Sequence, residues 1–303
     1  MKQLFGKQLG STLCLLSVAA IWGGAFIFSK NALHDIGPFY FLFFRFGIAA
    51  IILAIFCGKR LKLIKWQYIK PSLIIGFWLF LGFATETIGL QYTSVANTAF
   101  ISAFYVVLVP LLSFFFSRKI SSLQIIMAII AFCGLALFTL DRSFHINRGD
   151  ILVLACAFCF SLHFLYVDRF TAFIDSVLLS FLQILVTCIL CGICALIFEP
   201  PPQSFTPDVW KGLIYGSTLA SAYAFFIQVW VQKILSPVQT SVTLTSKSLF
   251  GLLFGWLFME EVFIPRQLVG GTILIFSIIA IIILPWWQAK VDARMGGQSL
   301  DNK

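Results

Sequence analysis

Runs of about twenty apolar residues, separated by short polar gaps, make up most of the pattern along this chain. An apolar helix of about twenty residues is long enough to cross the hydrocarbon core of a bilayer. A transmembrane β-barrel would instead show alternating positions in segments of about ten residues. The pattern therefore predicts an all-α membrane protein with ten transmembrane helices. They are predicted at residues 11–33, 38–57, 69–91, 95–117, 122–140, 150–168, 176–198, 210–232, 237–259 and 267–287.

Composition agrees with this prediction. The 303 residues are 60% hydrophobic and 11% charged, and their mean hydropathy is +0.99, whereas soluble domains are about half apolar and a quarter charged. The net charge of +9 would suit a nucleic-acid-binding protein if the basic residues formed a patch. They lie in the short gaps between apolar runs instead, so we expect membrane lipid and no nucleic acid as a partner.

The basic residues also predict an orientation. If the N-terminus is cytoplasmic, fourteen Lys and Arg side chains fall on the cytoplasmic side and five on the opposite side. Cytoplasmic loops carry the excess of Lys and Arg, so both termini are predicted to be cytoplasmic. Residues 288–303 would then form a cytoplasmic tail.

Ten helices divide into two sets of five, and an odd number per set makes the two sets run in opposite directions across the membrane. Glu86 and Ser94 match Gln228 and Ser236 at the same spacing, which supports such an inverted repeat. The predicted repeats are residues 11–140 and residues 150–287.

A polar stripe opens the fourth predicted helix. Ser94, Thr98, Ser102 and Tyr105 recur at spacings of four, four and three, which places four hydroxyl groups on one helical face. Such groups either bond to their own helix or a neighbour, or line an aqueous cavity. The second interpretation is favoured because the ninth predicted helix repeats the pattern with Gln239, Thr243 and Lys247.

Lys247 lies near the middle of the ninth predicted helix, where a lysine costs roughly 2.5–3.5 kcal/mol on insertion scales. Glu86 lies toward the outer end of the third. We hypothesise that Glu86 and Lys247 form an ion pair or line one cavity. The alternative is that Lys247 snorkels along its helix while Glu86 reaches the outer interface.

Other polar and aromatic positions leave alternatives open. Lys30 and Arg45 are anchors or packing contacts, with a role as substrate ligands as the alternative, and His163 is a proton relay or a contact between helices. The side chains that would bind a solute or simply bridge and pack helices are Gln183, Gln228, Trp22, Tyr105 and Tyr166.

Neither metal binding nor catalysis finds support in the motifs. Cys156 and Cys159 share a helical face, as do Cys188, Cys191 and Cys194, but no further ligand accompanies them, so they are expected to pack as small apolar residues. The chain shows no glycine-rich phosphate loop, no H-E-x-x-H and no G-x-S-x-G. We therefore expect no cofactor, no metal and no enzymatic activity.

Several stretches in order resemble the EamA-type members of the drug/metabolite transporter superfamily. They are IWGGAFIFSK (residues 21–30), Pro38 with Arg45, GLQYTSVANTAFISAFYVVLVP (89–110), Gly149-Asp150, SLHFLYVDRF (161–170), and FGWLFMEE (254–261) followed by Gly270-Gly271. The resemblance implies two inverted five-helix EamA repeats and transport of small organic solutes across a bacterial inner membrane. It places cavity positions at Trp22, Asn97, Thr98, Ser102, Tyr105, His163 and Gln183.

Two positions depart from the family pattern. Where relatives usually have Glu-Pro in the ninth helix, this chain has Lys247-Ser248, which reverses a charge and removes a helix kink. Where close relatives tend to have glutamine near the end of the third helix, this chain has Glu86.

The sequence thus predicts a monomeric or homodimeric secondary transporter that moves an amino acid-like, nucleoside-like or cationic metabolite by alternating access, with any coupling ion left open. The alternative is a membrane scaffold whose polar stripes are packing contacts. The predicted substrate-binding residues are Trp22, Glu86, Asn97, Thr98, Ser102, Tyr105, His163, Gln183, Gln228, Thr243 and Lys247.

Overall fold

The computed structural model describes residues 2–116, 121–139, 147–259 and 265–298, and these residues form helices and short connections. Short 3-10 helices follow the second and fifth α-helices, and a π-helix, Thr218–Tyr223, joins the ninth to the tenth. The α-helices are α1 (Lys2–Ala32), α2 (Pro38–Cys57), α3 (Trp66–Tyr92), α4 (Val95–Ser102), α5 (Tyr105–Ser113), α6 (Ser122–Thr139), α7 (Arg148–Phe170), α8 (Ser176–Phe198), α9 (Pro207–Ser217), α10 (Ala224–Val231), α11 (Pro237–Leu244), α12 (Lys247–Met259) and α13 (Pro265–Gln298).

Seven described segments are long and apolar enough to cross a membrane, and two shorter apolar helices, Ser122–Leu137 and Pro265–Ile281, accompany them. This confirms a multi-pass helical membrane protein, while the number of ten stays a prediction. The predicted tail starts inside a helix, because α13 continues to Gln298. The seven segments are Gly6–Ala32, Pro38–Leu63, Trp66–Tyr92, Asn97–Phe116, Arg148–Phe170, Ser176–Phe198 and Pro207–Val231.

The fourth and ninth predicted helices are each interrupted for two residues, which the apolar pattern did not predict. α4 ends at Ser102 and α5 begins at Tyr105, while α11 ends at Leu244 and α12 begins at Lys247. Backbone bonds between residues three apart replace the α-helical pattern at both breaks. The kink expected to be lost with the Glu-Pro pair is therefore still present as a break one residue before Lys247.

Side chains help to form the second break. Thr245 Oγ1 donates to the Val242 carbonyl at 2.6 Å and Ser246 Oγ donates to the Thr243 carbonyl at 2.7 Å. Such side-chain bonds compete with the regular helix and bend it. The helix before each break begins with a serine cap, Ser94 or Ser236, whose side chain accepts a backbone N–H three residues on.

The breaks occupy the same place in both halves of the chain. Val95, Ser102 and Tyr105 at the bounds of α4 and α5 become Pro237, Leu244 and Lys247 in α11 and α12, each 142 residues later. The bundle brings them to its centre, because α1 packs along α9 to α12, α3 packs on α7 and α8, and α6 packs on α13. Gly23 permits this approach: a Cβ added there would lie 2.6 Å from the Lys247 carbonyl oxygen.

Candidate functional site

A central cavity lies between α1, α2, α3, α5, α7, α10 and α12. The cavity has a volume of about 50 Å³, and one water needs roughly 10–15 Å³, so the cavity has room for several waters or a compact solute group. Seven of its sixteen lining residues are aromatic. The aromatic side chains that line it are Trp22, Phe26, Phe83, Tyr105, Phe160, Phe164 and Phe225.

Three charged side chains face this cavity: Arg45 from α2, Glu86 from α3 and Lys247 from the start of α12. They are only 4%, 8% and 4% exposed, respectively. Buried charges in a membrane protein usually pair with one another or mark a solute or ion pathway. Their partners therefore decide what the cavity can do.

Arg45 is held mainly by the π-helix. Its Nε donates to Ser221 Oγ at 2.9 Å and its Nη2 donates to the Ala220 carbonyl at 3.3 Å. Its guanidinium carbon lies 4.8 Å from the ring centroid of Phe83 and 5.4 Å from that of Phe46, so two aromatic faces also stabilise its charge. Arg45 thus has a packing role, as expected, and also contributes to the cavity wall.

Lys247, at the second break, is held by residues of the first break, between α4 and α5. Its amine donates to Ser102 Oγ, the last residue of α4, at 2.8 Å. The same nitrogen lies 5.1 Å from the ring centroid of Phe26 and 5.4 Å from that of Tyr105. The lysine from the second break therefore contacts residues on both sides of the first, Ser102 and Tyr105.

Glu86 lies within the electrostatic influence of both cations, Lys247 and Arg45, and against the thiol of Cys156. Its Oε1 is buried and has no hydrogen-bond partner in the described part of the chain. Within that part, the ion pairs in direct contact are on exposed side chains, Arg60 with Asp175 and Lys211 with Asp208. Glu86 and Lys247 therefore share one cavity without a direct ion pair, and both side chains are buried.

Further polar groups surround the cavity. His163 Nε2 and Gln183 Oε1 are 2.9 Å apart, and Gln228 Nε2 donates to Gln232 Oε1 at 3.1 Å. Trp22 Nε1 donates at 2.9 Å to the carbonyl of Ala220, which Arg45 also contacts. Within the described residues, the buried cavity atoms without a hydrogen-bond partner include Tyr105 Oη, His163 Nδ1 and Gln228 Oε1.

Six of the eleven predicted site residues lie on the cavity wall, and two lie one layer behind it. Ser102 is behind Lys247 and Gln183 is behind His163. The six on the wall are Trp22, Glu86, Tyr105, His163, Gln228 and Lys247.

Asn97, Thr98 and Thr243 were predicted to face the cavity, and they do not line it. Thr98 Oγ1 donates to the Ser94 carbonyl at 2.9 Å, and Thr243 Oγ1 donates to the Gln239 carbonyl at 2.8 Å. Both hydroxyls are thus satisfied by their own helix, which is the alternative that the stripe left open.

Arg45 lines the wall although the sequence favoured an anchoring or packing role for it over a role as substrate ligand. A comparison of the two repeats would have indicated Arg45, because it is equivalent to the predicted site residue Gln183. Arg45 lies seven residues after the start of α2, and Gln183 lies seven residues after the start of α8. The aromatic wall residues Phe83, Phe160 and Phe225 were also missed, since 35 phenylalanines in the chain hide the few that line a cavity.

Comparisons with known proteins show which family and which proteins the chain is similar to. The model of the EamA-like transporter family matches residues 9–140 and 147–283. An uncharacterized transporter of Archaeoglobus fulgidus is 29% identical over 276 residues, which is 91% of this chain and 86% of the relative. The uncharacterized transporter YoaV of Bacillus subtilis is 23% identical over 87% of this chain and 93% of its own length. One crystal structure of a protein shares the fold, with a TM-score of 0.76, 15% identity and coverage of 91% of this chain and 96% of that one.

Proposed function

Because this chain belongs to the EamA-like transporter family, we propose that it carries a small organic solute across the membrane by alternating access, with the central cavity as the binding site. The observation that carries the proposal is the meeting of two broken helices at a cavity with buried charges, as Lys247 of one break contacts Ser102 and Tyr105 of the other. Interrupted helices at repeat interfaces form the solute sites of many secondary transporters.

An inverted arrangement of two five-helix repeats fits the contacts at the helix ends. The Lys30 amine, near the end of α1, donates to the carbonyls of Leu90 and Thr93 at the end of α3. The Thr93 hydroxyl donates to Asp150 at the start of α7 at 2.6 Å. α7 therefore begins at the end of the bundle where α1 finishes, as expected if the two repeats run in opposite directions.

The two ends of the bundle differ, as alternating access requires. At one end, the bonds from Lys30 hold α1 against α3 directly beside the cavity residues Ser29 and Leu90. At the other end, a recess of about 560 Å³ is lined by Gln124, Asp168 and Lys233, among others. The proposed topology has ten spans with both termini in the cytoplasm, so the end closed by Lys30 faces outward.

Sided thiol labelling tests this function without knowledge of the solute. Thr87→Cys places a thiol on the cavity wall, in a chain whose eight native cysteines are replaced by alanine or serine. Thr85→Cys, on the same helix but off the wall, is the matched control. A charged, membrane-impermeant thiosulfonate should label position 87 in right-side-out and in inside-out vesicles, and position 85 in neither. A scaffold would leave position 87 unlabelled from both sides.

A further inference from the structure

The cavity wall carries an excess of positive charge. Arg45 and Lys247 are two cations, Glu86 is one carboxylate, and each is at most 8% exposed. These side chains sum to one net positive charge in a medium that solvates charge poorly. A bound solute with one net negative charge balances the wall, whereas a zwitterion leaves the excess and a cation increases it.

Lys247 is the better placed of the two cations for an anionic group. Arg45 already donates to Ser221 and Ala220 and lies over two aromatic faces. The ammonium of Lys247 carries three N–H donors, and one of them goes to Ser102. The hydroxyl of Tyr105, whose ring lies 5.4 Å from that ammonium, is buried without a partner among the described residues.

The wall also presents acceptors that need a donor. Glu86 Oε1 and Gln228 Oε1 are both buried and lack a hydrogen-bond partner in the described segments. A buried polar atom left without a bond is costly, so a donor on the solute stabilises the complex. An ammonium group would supply the donor but cancel the negative charge of a carboxylate. A hydroxyl group supplies it and keeps the net charge at minus one.

We propose that the cavity binds a compact hydroxy-carboxylic acid of net charge minus one, with its carboxylate at Lys247 and Tyr105 and its hydroxyl toward Glu86 and Gln228. The aromatic wall favours an apolar or aromatic body, and a phenyl body requires the cavity to widen from its volume of about 50 Å³, because a cavity that holds benzene measures about 150 Å³. This inference rests on the proposed function, since it names the chemical class of solute for the same cavity.

Four probes with closely related phenyl-alkyl bodies test the inference on the purified full chain: 3-phenyllactate, 3-phenylpropionate, phenylalanine and phenethylamine. Dissociation constants are measured by calorimetry at neutral pH. We expect 3-phenyllactate to bind at least tenfold more tightly than phenylalanine, 3-phenylpropionate to fall between them, and phenethylamine not to bind. Tighter binding of phenylalanine or phenethylamine, or no binding of any probe, overturns the inference.

Variants locate the carboxylate. Lys247→Gln should weaken the binding of 3-phenyllactate at least tenfold. If Lys247→Gln fails to fold, Lys247→Arg is measured in its place and should retain binding, because it keeps the charge. Glu86→Gln should reduce the preference for 3-phenyllactate over 3-phenylpropionate, because the hydroxyl that only 3-phenyllactate carries loses its carboxylate acceptor. Lys211→Gln, at an exposed lysine paired with Asp208, is the control. Unchanged binding in a folded Lys247→Gln variant contradicts the proposed position. Labelling of Thr87→Cys decides separately whether the transport function stands.

Discussion

The two repeats place a helix break at the same position and fill it with different chemistry. Tyr105 begins the helix after the first break and Lys247 begins the helix after the second, 142 residues later. One contributes a buried hydroxyl without a partner in the described chain, and the other a buried ammonium. The repeated backbone thus builds the cavity, and the unequal side chains give it its charge.

The ends of the bundle show the same relation. α7 ends and α8 begins 138 residues after α1 ends and α2 begins, because Ala32 and Pro38 correspond to Phe170 and Ser176. By this offset Lys30 corresponds to Asp168. Lys30 bonds α1 to the end of α3 at one end of the bundle, while Asp168 lines the recess at the other. Equivalent positions of opposite charge therefore lie at the two ends.

Removing the charge at the second break should have the largest effect. In Lys247→Met we expect binding of the tightest of the four phenyl probes to fall about a hundredfold, since losing one partner of a buried charge contact costs about 2–5 kcal/mol. The thermal midpoint should rise, because the insertion cost of lysine is relieved. Calorimetry and thermal unfolding check both, and Lys211→Met is the control. A midpoint that falls would show that Lys247 stabilises the fold.

Exchanging the two residues should recover part of that loss. Lys247→Tyr alone should bind as poorly as Lys247→Met, whereas Tyr105→Lys with Lys247→Tyr returns the ammonium to the cavity from the other break. We expect the double variant to bind about tenfold more tightly than the single one, because net charge is restored while geometry is not. If the double variant binds as weakly as the single variant, the ammonium does not contribute to binding unless it lies at position 247.

Releasing the closed end should change access to the cavity. In Lys30→Gln, labelling of Thr87→Cys from the outer side should become at least tenfold faster, because the charged donor of two bonds is lost and a hydrogen bond to a charged group contributes about 1.5–3 kcal/mol. The rate of thiosulfonate reaction measures this. Lys211→Gln should leave the rate unchanged, and an unchanged rate in Lys30→Gln would contradict the closing role.

The smallest effect is expected at the second break itself. Thr245→Ala with Ser246→Ala removes two side-chain bonds to the backbone of their own helix. Side-chain hydrogen bonds between membrane helices average about 0.6 kcal/mol each, so we take about 1.2 kcal/mol as the upper limit for the pair. We expect binding of the same probe, measured by calorimetry, to weaken by at most about sevenfold, since the loss partly straightens the helix. Thr98→Ala, whose bond lies within a regular helix, should have no effect on binding.

The apolar pattern predicted most helices because burial in lipid forces long apolar runs, and a charge within such a run stands out. Glu86 and Lys247 could therefore be selected from sequence alone. The breaks could not, because Ala103 and Phe104 look helical and Thr245 and Ser246 are tolerated in helices. Only the bonds that they form in three dimensions interrupt the α-helical pattern.

Periodicity identified a polar face, but not what covers it. Thr98 and Thr243 lie on the predicted stripes yet bond to their own helices, because a hydroxyl can always reach the carbonyl of the preceding turn. Arg45, in contrast, was not predicted to face the cavity, although it lines the wall. Its position near the start of α2 is typical of an anchor, and only the packing of the π-helix against α2 brings it to the cavity.

The central claim is alternating access between two repeats. Distances between helices at the two ends of the bundle test it most directly. Spin labels at His34 and Gln91 report the closed end, and labels at the corresponding positions Ala172 and Lys233 report the recess; all four side chains are exposed. Pulsed electron paramagnetic resonance then measures the two label-to-label distances with and without Lys30→Gln. We predict that the first distance lengthens as the second shortens. Two distances that stay fixed, or change in the same direction, would contradict the account.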